Sequence, residues 1–328
     1  MILRGIGRLA TALAAMVLSV LVSGSLLAQE AFPVSIDHAF GETTIEDEPE
    51  RIVTIGWMSQ DTVLALGVLP VGIPYTSWGG NTEGYYPWVK EAVEELGLGA
   101  PAQLNFDNGI PFEEILSLEP DVIIARYSGL TDEEYARLST IAPTIAYADQ
   151  PWSGNWRDIT RVVGTALGQS DRAESLVAET EAYIAQQRSA HPEFEGNTFL
   201  FAGSVSEGIG QLAVYVSTDP RVQLIEDLGL TLAEGVKALP IDQGFNIAVS
   251  LENLGSVEAD ILFAWHPDAA GETYVRTHDL LSRFRPVAEG RYVPIIDRSF
   301  VMATSAPSPL SIPWSLETLV PEIAAVLQ

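Results

Sequence analysis

The sequence has 328 residues, of which 47% are hydrophobic and 19% charged, a balance that indicates a packed globular protein and excludes a disordered one. The formal net charge of −27 would repel phosphates, which excludes non-specific binding to nucleic acid. No cysteine is present, so disulfides, thiolate metal sites, a cysteine nucleophile and a lipid-anchored cysteine are excluded as well.

Residues 1–28 differ from the rest of the chain. Arg4 and Arg8 precede an apolar run, and small residues lead up to Gln29, a pattern typical of a secretory signal. We expect cleavage near Ala28 and a mature protein in a bacterial periplasm. The alternative is a retained N-terminal membrane anchor. No other stretch of the sequence is long and apolar enough to cross a bilayer.

The mature part begins with alternating apolar residues and a turn, which predict a small hairpin over residues 31–45. Residues 51–56 then read as a buried strand and residues 59–68 as a helix capped by Ser59. The run at 70–75 predicts the next strand. This β-α-β order indicates a parallel sheet.

Two stretches of the chain, residues 111–124 and 250–263, resemble each other without a gap. The matched pairs are Glu113/Glu252, Ser117/Ser256, Glu119/Glu258 and Asp121/Asp260. In the first copy, helical spacing over 112–118 ends before Pro120, and a short buried strand follows. The second copy predicts a helix from Leu251 and a strand at 261–264. The repeat indicates two lobes of similar plan.

Residues 131–141 and 143–147 predict a further helix and strand, and residues 155–191 predict helices with a break at Gly168. The part from 171 to 191 reads as one long helix with a polar face, and the strand pattern restarts at 198–203. A terminal helix covers 313–327.

We therefore predict an α/β protein of two three-layer lobes, with parallel-type central sheets, joined by one long helix. The expected divisions are a signal peptide at 1–28, an N-terminal lobe at 29–154, a linker region with the connecting helix at 155–196, and a C-terminal lobe at 197–328. A ligand cleft between the lobes, at the carboxyl ends of the strands, is the expected site.

Aromatic residues follow the predicted strands, where such a cleft would lie. They are Trp57, Trp78, Tyr85, Tyr86, Trp88, Tyr127, Trp152, Trp156 and Trp265, with His266 next to the last of them. As a set they favour a large, flat, partly apolar ligand, although each one alone also fits ordinary core or loop packing. Arg126 and Arg298 follow strands as well and would suit a hydroxamate or catecholate oxygen, or a salt bridge to an acid.

No enzyme motif stands out in the sequence. It contains no phosphate-binding loop, no G-x-S-x-G elbow and no H-E-x-x-H pair. We expect a protein that is not an enzyme, while an exported hydrolase with a carboxylate pair stays open. Direct capture of a divalent metal also stays open, but of the four histidines only His266 follows a predicted strand.

The runs ERIVTIGWMSQDTVLALGVLPVGIP, PFEEILSLEPDVII and YSGLTDEEYARLSTIAPTIAY, in this order, resemble the substrate-binding proteins of bacterial ABC importers for iron–siderophores. The resemblance covers nearly the whole mature chain. It implies two lobes bridged by one helix, a ferric siderophore as ligand, and partnership with an inner-membrane permease and its ATPase. We expect a monomer with no resident cofactor and no directly ligated metal.

The resemblance also implies a role for the repeated glutamates. In relatives, one glutamate on each lobe docks onto arginines of the permease, and the matching positions here are Glu113 and Glu252. The alternative is that both are ordinary acids at helix starts. Because basic residues are few, the ligand is expected to be a neutral or weakly charged ferric hydroxamate or mixed siderophore. Haem or a corrinoid, ligated by Tyr127 or His266, is the alternative ligand.

Overall fold

The computed structural model describes residues 32–240 and 244–328. The predicted secretory segment, residues 1–28, lies outside the described residues. Within those two ranges, no helix combines the length and the apolar character that crossing a bilayer requires.

The N-terminal lobe, as we call the first sheet and its helices, follows the predicted β-α-β order. Its elements are β1 (Val34–His38), β2 (Gly41–Ile45), β3 (Ile52–Thr54), α1 (Ser59–Ala65), β4 (Gly72–Pro74), α2 (Pro87–Leu96), β5 (Ala102–Leu104), α3 (Phe112–Ser117), β6 (Val122–Ile124), α4 (Asp132–Leu138) and β7 (Thr144–Ile145). Strands β1 and β2 form an antiparallel hairpin, and the others form a parallel sheet in the order β5-β4-β3-β6-β7.

Every residue of β3 and β6 is buried, as expected of central parallel strands covered on both faces. One local prediction needs correction. Ser59 does not cap α1, because it lies inside the helix and Met58 is the N-cap residue. Helix α3 ends before Pro120 as predicted, with Ser117 as its last residue, and Glu119 adopts a positive φ of 47°.

The C-terminal lobe, the second sheet with its helices, follows two further helices and a 3₁₀ turn. The elements from there on are α5 (Trp156–Ala166), α6 (Ser170–Ala190), β8 (Thr198–Ala202), β9 (Gln211–Tyr215), α7 (Pro220–Asp227), β10 (Thr231–Leu232), α8 (Glu234–Lys237), β11 (Asn246–Ser250), β12 (Ile261–Trp265), α9 (Ala269–Thr277), α10 (Arg285–Ala288), β13 (Tyr292–Ile295), α11 (Arg298–Ser305) and α12 (Ser311–Val326). Three 3₁₀ segments cover Pro192–Phe194, Leu251–Val257 and Leu281–Arg283.

The second sheet is mixed, which corrects the expectation of a parallel sheet in this lobe. Its order is β11-β9-β8-β12-β13, with β10 paired to β8, and β9 runs antiparallel to both β8 and β11. The reason is local: only a short loop, without a helix, connects β8 to β9, so the chain reverses direction. The predicted helix from Leu251 is a 3₁₀ segment with a kink at Asn253.

Helices α5 and α6 form the connection between the two sheets. They pack side by side as a pair, with a turn at Gly168, whose φ is +66°. Arg157 on α5 contacts Glu181 on α6 at 2.6 Å and Asp227 on α7 at 3.0 Å. The long helix at Ser170–Ala190 is therefore tied to elements on both sides of the junction.

The internal repeat has a structural role in each lobe. The carboxylate of Asp121, just before β6, accepts hydrogen bonds from the backbone N–H of Glu50 and Arg51, both at 2.8 Å, where β3 begins. The carboxylate of Asp260, just before β12, accepts one from the N–H of Thr198 at 2.8 Å, where β8 begins. Each aspartate thus fixes the start of the neighbouring parallel strand.

Replacing Asp260 by alanine should lower the free energy of unfolding by about 2 kcal/mol, because Thr198 N–H, Thr198 Oγ1 at 2.6 Å and Arg285 at 3.0 Å all lose their acceptor. Urea unfolding followed by tryptophan fluorescence measures the change. Glu258→Gln is the matched control, since Glu258 is exposed and contacts the same Arg285. Equal losses in the two variants would contradict the assigned role.

Candidate ligand-binding cleft

A cavity of about 580 Å³ lies where the carboxyl ends of the strands of both lobes meet. Its volume is in the range of small-molecule sites, and its position is the usual one for ligands of α/β sheets. The N-terminal lobe contributes turns after β3, β4, β5, β6 and β7, and the C-terminal lobe contributes α7, α11 and the end of β12. The lining residues are Ile55, Gly56, Trp57, Gln60, Pro74, Tyr75, Thr76, Ser77, Trp78, Tyr86, Phe106, Gly109, Ile110, Ser128, Gly129, Leu130, Glu134, Trp152, Arg221, Trp265, Val301, Met302 and Ser305.

The turn after β3 reaches the cavity because of a glycine. Gly56 has a φ of +86°, and a Cβ at this position would lie 2.2 Å from the carbonyl oxygen of Tyr127. Only glycine therefore allows the ends of β3 and β6 to approach this closely. The neighbouring Trp57 donates its backbone N–H to the same carbonyl at 3.0 Å. The approach sets the Trp57 side chain at the mouth of the cleft.

Aromatic rings from both lobes form the walls of the cavity. The rings of Trp57 and Trp152 lie 4.9 Å apart at an angle of 40°. Trp152 adopts a positive φ of 57° and lies over Gly129, where a Cβ would come within 2.6 Å of its indole nitrogen. On the opposite wall, Trp265 Nε1 donates to the hydroxyl of Tyr215 at 2.8 Å. Such walls suit apolar, flat or rounded ligand surfaces.

Five of the residues predicted from the sequence line this cavity: Trp57, Trp78, Tyr86, Trp152 and Trp265. The four tryptophans among them are only partly buried. Tyr127 is buried and borders a smaller void of about 290 Å³, together with Trp57, Trp152, Arg221 and Phe245.

Arg126, by contrast, is directed away from the cleft. Its guanidinium donates to the carbonyl of Ala146 at 3.1 Å and to that of Asp37 at 3.4 Å, beneath the β1–β2 hairpin. Both Arg126 and Tyr127 lie in the turn that follows β6, and of the two only Tyr127 borders the smaller void. Arg298 is exposed at the rim, where its guanidinium lies 5.8 Å from the ring centre of Trp78, and it does not line the cavity.

His266 is fully buried, with an exposed fraction of 0%, and does not line the cavity either. Its Nε2 lies 2.5 Å from the hydroxyl of Tyr292, and a Cβ at Gly271 would lie 2.4 Å from its Nδ1. Burial lowers the pKa of His266 to about 4. A neutral, enclosed imidazole at this position is part of the core packing between β12, α9 and β13.

The remaining aromatics of the predicted set belong to the core. Tyr85, Trp88 and Trp156 are 6%, 4% and 3% exposed, and none of them lines the cavity. The ring of Trp88 stacks on that of Tyr86 at 4.8 Å. Its indole N–H donates to the carboxylate of Asp61 at 2.7 Å.

Arg221, which borders both the cavity and the smaller void, was not among the residues predicted from the sequence. No element was predicted for the segment between β8 and the second copy of the repeat, so this arginine had no assigned place. It lies in the first turn of α7, which follows β9. The available signal was Asp219-Pro220-Arg221, since an aspartate followed by proline marks a helix start.

A buried ion pair holds the Arg221 guanidinium in place. Its Nη1 donates to Asp219 at 2.8 Å, its Nε donates to the hydroxyl of Ser305 at 3.1 Å, and its carbon centre lies 4.3 Å from the ring centre of Tyr215. Burial raises the pKa of Asp219, although the Arg221 charge acts against this. A guanidinium fixed in this way is suited to donate hydrogen bonds to ligand oxygens.

Glu113 and Glu252, the predicted docking residues, are both exposed. Glu113 lies in the first turn of α3 and Glu252 in the 3₁₀ segment that precedes β12. Within the described ranges, neither carboxylate belongs to an ion pair. They occupy equivalent positions of the two lobes: Glu113 precedes β6, which pairs with β3, the first strand of the parallel sheet, and Glu252 precedes β12, which pairs with β8, the first strand of the mixed sheet.

Two α/β lobes, joined by a helical connection and facing each other across an aromatic cleft, define a substrate-binding protein. Residues 52–295 match the family model described as periplasmic binding protein, and the chain belongs to this family. The fold and family expected from the sequence are thereby confirmed.

Similar proteins share most of the chain. It is 26% identical over 234 residues to the probable siderophore-binding lipoprotein YfiY of Bacillus subtilis, covering 70% of this chain and 67% of that protein. It is 25% identical over 258 residues to the Fe(3+)-citrate-binding protein YfmC of the same organism, covering 76% and 74%. The crystal structure of Streptococcus pneumoniae PiaA in complex with ferrichrome matches with a TM-score of 0.82 and 32% identity, covering 90% of this chain and 98% of PiaA.

Proposed function

We propose that this protein captures a ferric siderophore in the cleft and delivers it to the permease and ATPase of an ABC importer. The observation that carries the proposal is the aromatic cavity of about 580 Å³ between the lobes, which is large enough for a wrapped iron complex. The likeness to PiaA, solved with ferrichrome, supports it. Iron that arrives already chelated needs no ligand atoms from the protein.

The cleft residues have distinct roles in this proposal. Trp57 and Trp152 on one lobe and Trp265 on the other enclose the apolar surface of the ligand. Arg221 donates hydrogen bonds to oxygens of the iron-binding groups. Haem or a corrinoid is not favoured, because His266 is enclosed at 0% exposure and cannot reach a ligand in the cavity.

Titration of the tryptophan fluorescence of the mature protein tests the proposed function. We expect saturable quenching at submicromolar concentration by at least one ferric siderophore, and a much weaker response to its iron-free form. The panel includes ferrichrome, ferric citrate, haemin and cobalamin, with calorimetry to exclude optical artefacts. Tight binding of haemin or cobalamin alone, or of nothing, would refute the proposal.

We infer a periplasmic location from the secretory pattern of residues 1–28. Alkaline phosphatase fused after this segment should be active in the bacterial host only if the segment directs export. A precursor retained in the cytoplasm would contradict the inference.

Reversing the charge of both Glu113 and Glu252 to arginine should abolish at least nine-tenths of siderophore-dependent iron uptake, because both proposed contacts with permease arginines become repulsive. Binding of the siderophore to the purified variant should stay unchanged. The matched control is Glu133→Arg, which changes another exposed acid in the first turn of a helix. Normal uptake by the double variant would show that these glutamates do not dock.

A further inference from the structure

The cavity carries little positive charge for a protein that would bind iron complexes. Among the lining residues that fall within 32–240 and 244–328, only Glu134 and Arg221 have formally charged side chains. Arg126 and Arg298, the cations expected there, do not line it. The balance of charge in the cleft therefore depends on what surrounds Arg221 and Glu134.

The charge of Arg221 is balanced inside the protein. Asp219 is 1% exposed and accepts hydrogen bonds from both Nη1 and the backbone N–H of Arg221, each at 2.8 Å. A guanidinium paired this closely presents a dipole to the cavity rather than a free positive charge. It still carries N–H groups beyond those bound to Asp219 and Ser305, so it can donate to a neutral oxygen.

The second charge at the cavity is negative. Glu134 is partly buried, and its Oε2 accepts from the N–H of Thr131 at 2.8 Å and from the Thr131 hydroxyl at 2.9 Å. Within the residues that the structure describes, it is in no ion pair. Asp219, Arg221 and Glu134 together leave one net negative charge at the cleft, in a protein that is itself strongly acidic.

Resting on the proposed function, we infer that Asp219 and Glu134 select the ligand by charge. They admit ferric complexes that are neutral or positive, such as those of trihydroxamates, and disfavour anionic complexes such as ferric citrate and ferric tris-catecholates. Like charges brought together in a partly dehydrated cleft repel strongly, and a balanced arginine does not offset that repulsion. The selection lies in these two side chains rather than in the fold, since the similar protein YfmC is named for binding ferric citrate.

The test compares neutral ferrichrome with ferric citrate and with ferric enterobactin, a triply negative tris-catecholate. The dissociation constant of each anionic complex should exceed that of ferrichrome by about a hundredfold or more at low salt. In Glu134→Gln this ratio of dissociation constants should narrow by about tenfold, because the affinity for the anionic complexes should rise more than the affinity for ferrichrome. Glutamine suits the variant because it also serves at this position of a capping box.

A second variant, at Asp219, tests charge selection independently of Glu134. The Asp219→Asn variant should keep the side-chain cap of α7 and leave the charge of Arg221 unbalanced. Its affinity for the anionic complexes should therefore rise relative to its affinity for ferrichrome. Circular dichroism and ferrichrome binding establish that each variant is folded. An anionic complex that binds the natural chain as tightly as ferrichrome, or a ratio that neither variant changes, overturns the inference. No binding of any ferric complex would instead overturn the proposed function.

Discussion

Replacing Arg221 by methionine is expected to lower the free energy of unfolding by about 3–5 kcal/mol. The substitution leaves the carboxylate of Asp219 buried, at 1% exposure, without its cation, and breaking a buried pair from one side is strongly destabilising. The loss should be larger at high pH than at low pH, because burial raises the pKa of Asp219 and its protonated form leaves no unpaired charge inside the protein. Urea unfolding at a high and a low pH measures both effects.

The double variant Asp219→Asn, Arg221→Met is the control for this prediction. It removes both charges while keeping a side chain that can cap α7, so it should regain a large part of the stability that the single variant lost. A double variant no more stable than Arg221→Met would assign the loss to packing against Tyr215 instead of the ion pair.

The first lobe was predictable because each of its signals is local. Strands β3 and β6 are buried on both faces, so each is visible in the sequence as a short, mainly apolar run. Pro120 marked the end of α3, and Gly168 marked the turn between α5 and α6. Element boundaries differ from the predicted ones by up to three residues, as at the ends of α1 and α4, because helix ends fray and short strands give little pattern.

The second lobe shows that a local sequence pattern does not predict the direction in which a strand pairs. The strand β9 looks the same whether it pairs parallel or antiparallel, and only the short loop after β8 decides its direction. The C-terminal sheet was therefore predicted as parallel when it is mixed. Arg221 was missed because no element was predicted for the segment that contains β9 and the start of α7.

The orientation of side chains at the cleft was the least predictable feature. Tryptophans after strands were good candidates because large rings on turns need a partner surface. Neighbours at the end of a strand alternate, however, so Trp265 at the end of β12 reaches the cavity while His266 turns into the core. A shift of one residue in register would exchange these roles, and no pattern in the sequence fixes that register. Arg126 and Tyr127 lie in the turn after β6, where the path of the turn sets the side-chain directions.

Asp61 provides the last prediction, because it is a carboxylate buried at the junction of the two lobes. It lies on α1 at 2% exposure. Its Oδ2 accepts hydrogen bonds from Trp88 on α2 and from Ser308 between α11 and α12, both at 2.7 Å. Its Oδ1 has no hydrogen-bond partner among the described residues. Burial raises the pKa of Asp61 to about 6, and the bonds from Ser308 and Trp88 only partly offset this.

A carboxyl group whose pKa is higher in the folded than in the unfolded protein stabilises the fold when it is protonated. Its contribution is complete below the unfolded pKa of about 4 and is lost as the pH rises through about 6. Asp61→Asn should remove this dependence while keeping an oxygen for Trp88 and Ser308. We therefore expect the stability of the variant relative to the natural chain to rise by about 2 kcal/mol between about pH 4.5 and pH 7.5.

The difference in the free energy of unfolding between the variant and the natural chain is taken at each pH. The contributions of all other titrating groups that the two proteins share, including Asp219, cancel in this difference. Urea unfolding at the two pH values gives that difference directly. If this difference in stability is the same at both pH values, Asp61 does not titrate between them, and its carboxylate is ionised in the folded protein at both. If it rises as expected, the natural chain keeps at neutral pH a buried charge that loosens the contact between α1 and the segment before α12. That contact joins an element of the N-terminal lobe to one of the C-terminal lobe, so the same substitution would then strengthen the junction between the lobes.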